Sequence, residues 1–205
     1  VDMGIEVFKG FTIYRDEGWY VNDWHLLKYM QLAKEHEAIL GVHAESAEIA
    51  ESWMQECIEE GKTEPKYQGI AKPNFVEKEA IQRIYSLAEF AGTDVYITET
   101  TTKEGMELTK QARKRGQNVW TESCQHYLNF TTDIYETDKG VYSLCSPAYR
   151  TQEDVDALWE GIKDGSLSFT GSSHCGFTKA QKEAPDKFTE VTNGCPGAEV
   201  RLPLI

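Results

Sequence analysis

Basic side chains are scarce in this sequence. Its 205 residues include 21 Lys and Arg against 34 Asp and Glu, so the formal net charge is −13 at pH 7. Proteins that bind nucleic acid need a basic face and draw much of their affinity from releasing counterions, and anionic membranes attract basic surfaces in the same way. The charge balance therefore predicts neither nucleic acid nor a membrane surface as a partner.

Long apolar segments are missing as well. The longest uncharged run near the middle of the chain, 38–44 (AILGVHA), is far shorter than the roughly 20 apolar residues that cross a bilayer. The first ten residues, VDMGIEVFKG, lack a basic region followed by a long apolar stretch, so no secretory signal is predicted. The chain starts with Val, which predicts either processing or a start inside a longer reading frame.

The cysteines do not form a recognisable pattern. They number five, at positions 57, 124, 145, 175 and 195, and none of them lies in a C-x-x-C motif. This spacing argues against a disulfide framework and against a thiolate zinc site, and it predicts a reducing, cytoplasmic location. Hydrophobic residues make up 40% of the chain, which is enough for a packed globular core.

Short β-branched or aromatic runs alternate with longer helical patterns, which is typical of parallel βα units. Strands are predicted at 5–9, 39–43, 94–98, 118–122 and 167–171. Helices are predicted at 22–37, 46–60, 76–91, 103–115 and 153–163. The segments 61–74, 123–150 and 172–205 have no clear period and are predicted to be irregular, the second as a functional excursion from a strand end.

Polar residues follow or end four of these predicted strands. They are Lys9, His43, Glu99 and the group at 172–174 (SSH). Parallel α/β folds build their sites at the carboxyl edge of the sheet. The sequence therefore predicts a functional site where these four strand ends meet.

Seven separated motifs occur in order along the chain: GIEVFKGFTIY (4–14), VHAE (42–45), YITETTTKEG (96–105), ESCQHYL (122–128), CSPAYR (145–150), GSSHCGF (171–177) and NGCPGAEVRLPL (193–204). With these motifs the chain resembles the dihydropyrimidinase and hydantoinase family of cyclic amidohydrolases. The resemblance implies a (β/α)8 barrel with two metal ions, usually zinc, bridged by a carboxylated lysine and a hydroxide. Such enzymes open cyclic amides such as hydantoins and dihydropyrimidines.

The resemblance also implies roles for individual residues. Lys9 matches the lysine that becomes the bridging carbamate, and His43 matches a histidine metal ligand. Tyr14 matches the tyrosine that polarises the substrate carbonyl and stabilises the oxyanion. Ser146 and Asn193 match residues whose backbone groups hold the edge of the cyclic amide.

Two positions depart from the family pattern. Glu99 stands where the family has a second histidine ligand, a change that zinc can tolerate. Ser173 stands where the family has the aspartate that binds a metal and shuttles the proton. A serine hydroxyl is not basic enough for that role, and losing a general acid or base typically removes about 10²- to 10⁴-fold of the rate.

The extent of the resemblance predicts an incomplete site. The family's His-x-His pair on the first barrel strand has no counterpart here, nor has the small β-sandwich domain. Residues 1–205 are thus predicted to be a single partial TIM-barrel domain of the α/β class, the C-terminal part with about strands four to eight. The two zinc ions of the family are predicted to be incomplete or absent in this chain.

Two functions follow from this pattern. The first is hydrolysis of a cyclic amide C–N bond by a metal-bridged hydroxide, with little or no turnover by this chain alone. The second is a non-catalytic assembly or binding role, as in the collapsin response mediator proteins. Those relatives lack the same two groups and show GSAHC where this chain has GSSHC, but they also lack the lysine that is kept here as Lys9.

Simpler interpretations remain open for several residues. In the alternative that needs no metal, Lys9 is an unmodified lysine paired with Glu99. His43 is then a hydrogen-bonded residue at a strand end. Cys175 is either a nucleophile or a packing residue beside His174. Five further aromatic residues are predicted to be core or subunit contacts, namely His126 and Tyr127 of the ESCQHYL motif and the cluster Trp19, Tyr20 and Trp24.

The partners follow from the partial barrel. Strands four and eight of the family barrel would be left as open edges, which must pair with something. The chain is therefore predicted to form a homo-oligomer, a tetramer in the family, or to need a missing N-terminal segment. A small cyclic amide is the predicted substrate if the site is active.

Overall fold

Within residues 3–205, which the computed structural model describes, five parallel strands lie side by side in the order in which they occur in the sequence. Each strand pairs in parallel with the next one along the chain. The strands are β1 Val7–Phe11, β2 Ile39–His43, β3 Val95–Thr98, β4 Val119–Cys124 and β5 Phe169–Gly171. This order is that of an open section of a parallel βα barrel.

Helices connect the strands, and shorter helical turns fill the loops. The longer helices are α1 Asp23–Glu35, α2 Ala47–Glu59, α4 Asn74–Ala91, α5 Lys103–Lys114 and α7 Gln152–Asp164. The short ones are α3 Gln68–Ala71, α6 Gln125–Asn129, α8 Lys179–Glu183 and α9 Arg201–Leu204. Single 3-10 turns occur at Pro65–Tyr67, Thr132–Glu136, Gly140–Ser143 and Phe188–Glu190.

Local sequence signals set the helix boundaries. The Asn22 side chain accepts a hydrogen bond from the His25 backbone N–H and starts α1. Thr102 caps α5 in the same way, through the Gly105 N–H. Gly92 ends α4 in the left-handed conformation at φ 64°, where a side chain would be strained. These boundaries confirm the predicted helices to within two residues.

The structure corrects two of the sequence predictions. The first strand runs from Val7 to Phe11 rather than over 5–9, because it stays in register with β2 until Phe11 lies opposite His43. Lys9 therefore lies in mid-strand and not at its end. The segments predicted to be irregular contain α3, α6, α8 and α9, which are too short to give a helical period in the sequence.

One of the two large buried clusters lies between the sheet and the helices α1 and α4, with a contribution from α5. Its members are fully or almost fully buried aliphatic side chains from these elements, among them Leu26, Met30, Ile81, Ile84, Val95 and Ile97. This arrangement covers one face of the sheet. Among the helices of residues 3–205, none combines the length and the apolar character of a bilayer-spanning segment.

A buried carboxylate fixes the turn after β3. Glu77 of α4 accepts hydrogen bonds from the backbone N–H of Thr101 at 2.9 Å and of Thr102 at 3.0 Å, and from both hydroxyls. Arg150 contacts the same carboxylate at 3.5 Å, and both charged side chains are buried. These bonds hold the start of α5 and, with it, the loop that carries Glu99.

Candidate functional site

A pocket of about 400 Å³ opens at the carboxyl edge of the sheet. The side chains that the sequence nominates come together in it. They are Lys9, Tyr14, His43, Glu99, Ser146, Ser173 and Asn193. The strand ends and loops that are far apart in the chain therefore form one site.

Three pocket residues have an unusual backbone conformation. Tyr14, Glu99 and Ser173 have φ angles of 68°, 59° and 40°, in the left-handed region that non-glycine residues rarely adopt. Each such residue costs about 1–3 kcal/mol, and strain of this kind concentrates at functional sites. In the described chain, one further non-glycine residue, Glu37, has a positive φ. The strained turns thus coincide with the pocket.

His43 lies between two carboxylates. Its Nε2 is 2.9 Å from Glu45 Oε2, and its Nδ1 makes a close charge contact with Glu99. An imidazole that faces acceptors on both nitrogens must carry both protons. Burial lowers the pKa of His43, but the charge of Glu99 and the hydrogen bonds to the two carboxylates outweigh it and raise the pKa to about 9. His43 is therefore an imidazolium with no free lone pair.

Glu99 is the centre of this charge network. Lys9 Nζ lies 3.0 Å from its Oε1 and Ser173 Oγ donates to the same oxygen at 2.5 Å, while His43 contacts Oε2. Burial raises the pKa of Glu99, but the charges of His43 and Lys9 and the hydrogen bonds from His43 and Ser173 lower it well below the usual range. The Lys9–Glu99 pair is the alternative that the sequence left open.

Glu45 extends the network away from the pocket. Lys72 Nζ is 3.7 Å from Glu45 Oε1 and donates to Ser146 Oγ at 2.5 Å, and the Ser146 hydroxyl donates to Glu45. Burial raises the pKa of Glu45, but the charge of Lys72 and the contacts with His43 and Ser146 lower it to about 2. Two carboxylates and three cations thus compensate one another at the base of the site.

Sequence reasoning missed Glu45 and Lys72 as site residues. Glu45 lies within the quoted VHAE motif, but no role was assigned to it. Lys72 lies in the segment predicted to be irregular, next to Pro73. Nothing local marks it as buried, and its contacts with Glu45 and Ser146 join parts of the chain that are distant in sequence. A pattern of nearby residues cannot reveal such contacts.

Tyr14 forms the polar part of an aromatic wall. Its ring packs edge-on against Phe11 and Trp19, each at a centroid distance of 5.8 Å, and against His43 at 5.5 Å. Burial and the charge of Glu45 raise the pKa of Tyr14 well above its ordinary value. The phenol therefore stays protonated and can donate a hydrogen bond.

The opposite wall is held by an amide that the sequence did not nominate. The Gln68 side chain donates to the Cys145 carbonyl at 2.9 Å and to Asn193 Oδ1 at 3.4 Å. Gln68 is buried, and it lies in the same misread segment as Lys72. It fixes the relative position of the two loops that carry Ser146 and Asn193.

The nucleophile alternative for Cys175 finds no base. Its neighbour His174 accepts backbone N–H bonds on Nδ1 from Gly197 at 3.1 Å and Ala198 at 3.2 Å. Cys175 itself is exposed. The His174 ring is thus engaged in holding the loop, and the exposure of Cys175 does not agree with a packing role in this chain either.

The aromatic residues divide into two groups. His126 and Tyr127 are buried and stack at 4.1 Å, as predicted for core residues. Trp19 and Trp24 are 58% and 62% exposed, so neither is a core residue of this chain. Trp19 instead lines the mouth of the pocket.

The buried imidazole of His126 predicts acid sensitivity. Burial lowers its pKa to about 4, and the negative charge of Glu99 opposes this only in part. The unfolded chain takes up the proton near pH 6.5 and the folded chain near pH 4, so stability is lost as the pH falls through this range. We expect a loss of roughly 2–3 kcal/mol in urea unfolding between pH 6.5 and 4.

The His126→Gln variant isolates this effect. Its free energy of unfolding should depend less on pH than that of the wild type in the same range. His43 does not interfere, because its raised pKa changes stability between about pH 6.5 and 9. Parallel curves for the two proteins would contradict a neutral, buried His126.

The two zinc ions that the resemblance implies do not fit the residues as they are arranged. Zinc needs a histidine lone pair, and both nitrogens of His43 face carboxylates. Lys9 Nζ is engaged by Glu99 Oε1 at 3.0 Å. Within the described residues, no group of three or more His, Cys, Asp or Glu side chains is placed to hold a metal. The positive charge that two zinc ions would bring to the carboxylates of the site is already present on side chains of the protein.

Known proteins resemble the whole of this chain. It is 33% identical over 208 aligned residues to the D-hydantoinase of Ralstonia pickettii and to a D-phenylhydantoinase of Escherichia coli. The alignments cover 100% of this chain but 45% and 44% of those proteins. The chain thus spans slightly less than half the length of the curated relatives it matches. No protein-family model matches it.

Solved structures give the same relationship. A D-hydantoinase structure superposes with a TM-score of 0.96 at 33% identity over 99% of this chain and 45% of the other. A dihydropyrimidinase from Brevibacillus agri gives 0.95 at 29% identity, covering 99% and 45%. A dihydroorotase from Campylobacter jejuni, at 20% identity and a TM-score of 0.67, shares the barrel fold. Over its whole length, the chain is thus similar in sequence and in fold to slightly less than half of a D-hydantoinase or dihydropyrimidinase.

Proposed function

We propose that this chain is the pocket-bearing part of a hydantoinase-type protein, that it binds a cyclic amide, and that the 205-residue chain alone does not hydrolyse it. The observation that carries the proposal is the closed charge network at the base of the pocket. Lys9 and His43, the two positions that resemble metal-binding residues, are both paired with Glu99. Ser173 occupies the position of the proton-shuttling aspartate.

The walls of the pocket support binding of a cyclic amide. The Tyr14 phenol is a neutral donor suited to a carbonyl oxygen. Ser146 and Asn193, to which the resemblance assigns backbone contacts with the ring edge, both line the pocket. The pocket volume of about 400 Å³ lies in the range of small-molecule sites. The relatives are named for hydantoins and dihydropyrimidines, which are rings of this kind.

The same residues argue against turnover. Hydrolysis needs a base that takes a proton from water and returns it to the leaving nitrogen. The Ser173 hydroxyl donates a hydrogen bond to Glu99, and His43 and Lys9 keep Glu99 a carboxylate by lowering its pKa. Neither group is poised to carry a proton near neutral pH. The pocket can therefore hold and orient an amide without opening it.

Ligand titration of the full chain tests this proposal. Hydantoin and dihydrouracil are titrated into it while chromatography follows the ring-opened product. We expect saturable binding of one of them with no product. Tyr14→Phe should weaken binding by about tenfold through loss of one hydrogen bond, whereas Tyr29→Phe, outside the pocket, should not. Product formation, or equal binding by Tyr14→Phe, would contradict the proposal.

A second candidate is a role in assembly, which the open edges of the sheet favour. Among the five strands of the described chain, β1 pairs only with β2 and β5 only with β4, and the end of β1 forms one isolated bridge, between Phe11 and Tyr20. Val7 and Phe8 are 52% and 44% exposed, and Phe8 borders an apolar groove of about 410 Å³ with Leu32 of α1. We propose that hydantoinase-type polypeptide carrying the remaining barrel strands covers this edge, because the relatives are more than twice as long as this chain.

Co-expression tests the assembly role. The chain is produced with the N-terminal half of the Ralstonia pickettii D-hydantoinase, and complex formation is followed by light scattering. We expect a one-to-one complex that Phe8→Glu abolishes, while Phe90→Glu, on the exposed outer side of α4, leaves it intact. A monomer or a self-associated chain that ignores the added half would contradict the proposed partner.

The complex with the added N-terminal half can also be used to test whether the chain descends from an active enzyme or from a non-catalytic relative. If hydrolysis is limited by the two departures from the family pattern, the complex should gain activity when Glu99→His and Ser173→Asp are combined. Neither change alone restores both a ligand and a proton shuttle. A folded double variant in the complex without any hydrolysis would favour the non-catalytic role.

A further inference from the structure

Two cysteines lie close together in the wall of the pocket. Cys195 packs against the buried cluster that contains Cys145, and its Sγ lies 3.9 Å from the Ser143 carbonyl oxygen, although 50 positions separate the two cysteines in the chain. Cys145 is buried, Cys195 is half-buried, and both line the pocket. The function proposed above uses neither thiol.

The backbone holds these two thiols together. The Gly194 N–H donates to the Leu144 carbonyl at 3.1 Å, which joins the residues next to each cysteine. The buried Lys182 ammonium donates to the same Leu144 carbonyl and to the Thr192 carbonyl, each at 2.7 Å. Both cysteine segments are therefore fastened to one cation and to each other.

The surroundings give the two thiols different reactivities. The neighbouring Cys145 thiol and the charge of Lys182 lower the pKa of Cys195, with a further contribution from the Tyr149 hydroxyl, which lies 3.9 Å from Cys195 Sγ. Burial raises the pKa of Cys145 well above its ordinary value. The thiolate is the nucleophilic form of cysteine. Cys195, which is also the more exposed of the two, is thus the sulfur that reacts first.

We propose that Cys145 and Cys195 form a peroxide-reactive dithiol that closes to a reversible disulfide in the pocket wall. The Cys195 thiolate attacks hydrogen peroxide, takes one oxygen to become a sulfenic acid and releases hydroxide. The Cys145 thiol then attacks that sulfur, forms the S–S bond and releases water. A small-molecule or protein dithiol returns both cysteines to thiols.

The position of the disulfide gives it an effect on the pocket. Cys145 directly precedes Ser146, and Cys195 follows Asn193 by two positions. Gln68 already bridges the Cys145 carbonyl and the Asn193 side chain. A covalent bond between the loops replaces a thiol contact by a shorter link and displaces both segments. Oxidation should therefore change ligand binding by the pocket.

Peptide mapping after oxidation tests the proposal without reference to any ligand. The full chain is treated with one to two equivalents of hydrogen peroxide, its remaining thiols are alkylated, and digested peptides are identified by mass. We expect a cross-linked pair that contains Cys145 and Cys195 and that dithiothreitol releases. The alkylated thiol count should fall from five to three.

Variants identify which sulfur attacks. In Cys145→Ser the sulfenic acid at Cys195 has no partner and should be trapped by dimedone. In Cys195→Ser the peroxide reaction at Cys145 should slow by at least about tenfold, because the remaining thiol is buried and protonated. Cys57→Ser is the matched control, since that buried cysteine lies in α2 away from the pocket, and it should react like the wild type.

Cys175 supplies the outcome that would overturn the proposal. Its backbone N–H donates to the Cys195 carbonyl at 3.0 Å, so it is a second sulfur near Cys195. A cross-link between Cys175 and Cys195, or oxidation of the exposed Cys175 before Cys195, would contradict the assigned pair. The wild-type map alone decides this point if a variant fails to fold.

Discussion

Replacing Glu77 with alanine is expected to lower the free energy of unfolding by about 3–5 kcal/mol, because it breaks a buried ion pair from one side. The change leaves the Arg150 guanidinium buried beside empty space and removes the acceptor of the Thr101 and Thr102 backbone donors. Urea unfolding followed by circular dichroism measures the loss. A chain of marginal stability should then be largely unfolded at 37 °C.

Glu89→Ala is the matched control for this substitution. Glu89 lies on the same helix, α4, but is exposed, so its loss should change stability by less than about 0.5 kcal/mol. Equal unfolding curves for Glu77→Ala and Glu89→Ala would show that the turn after β3 does not depend on the buried carboxylate.

Glu99→Gln is expected to cost about 2–3 kcal/mol of stability, because breaking one side of a buried ion pair leaves a charge uncompensated. The amide keeps the shape of Glu99 but removes the counter-charge of His43, which is buried. Lys9 contributes less to the loss, since its side chain is 41% exposed and water screens it. Chemical unfolding at pH 7 provides the measurement.

Ser173→Ala separates the charge contribution from the hydrogen bond. It removes the donor to Glu99 at 2.5 Å without changing any charge, and should cost about 1.5 kcal/mol or less. If Glu99→Gln were as stable as the wild type, Glu99 would not be holding His43 and Lys9, and the charge network would be wrong as an account of this site.

The sheet and the longer helices could be predicted because their signals are local. Alternating apolar runs mark the strands, and Asn22 and Gly92 mark helix ends through their own side chain or backbone. The first strand was misplaced by two residues, since pairing with β2 extends it to Phe11. Short helices such as α3 were not predicted, because a single helical turn is too short to show a periodic pattern of apolar residues.

The site was predictable in part. The side chains that the resemblance nominated all line the pocket, and pairing of Lys9 with Glu99 followed from neighbouring strand ends. The second carboxylate on His43, and the Lys72 that balances it, were not predictable. Their contacts join segments that are distant in the chain, so they depend on the packed fold rather than on any motif.

The charges of the site explain how this chain can share the fold of its relatives without the metal centre that the resemblance implies. A binuclear metal centre supplies positive charge to a ring of neutral histidines and carboxylates. Here Lys9, Lys72 and a protonated His43 supply that charge from within the chain. The fold can thus be kept while the positions to which the resemblance assigns metal binding form an ion-pair network.

Metal stoichiometry tests this central claim most directly. The purified 205-residue chain is equilibrated with zinc at pH 7, passed over a chelating resin to remove loose ions, and measured by elemental analysis. The charge network predicts a value close to zero per chain. About two zinc ions per chain, the content of a two-metal site, would contradict it and would mean that Lys9, His43 and Glu99 rearrange to bind metal.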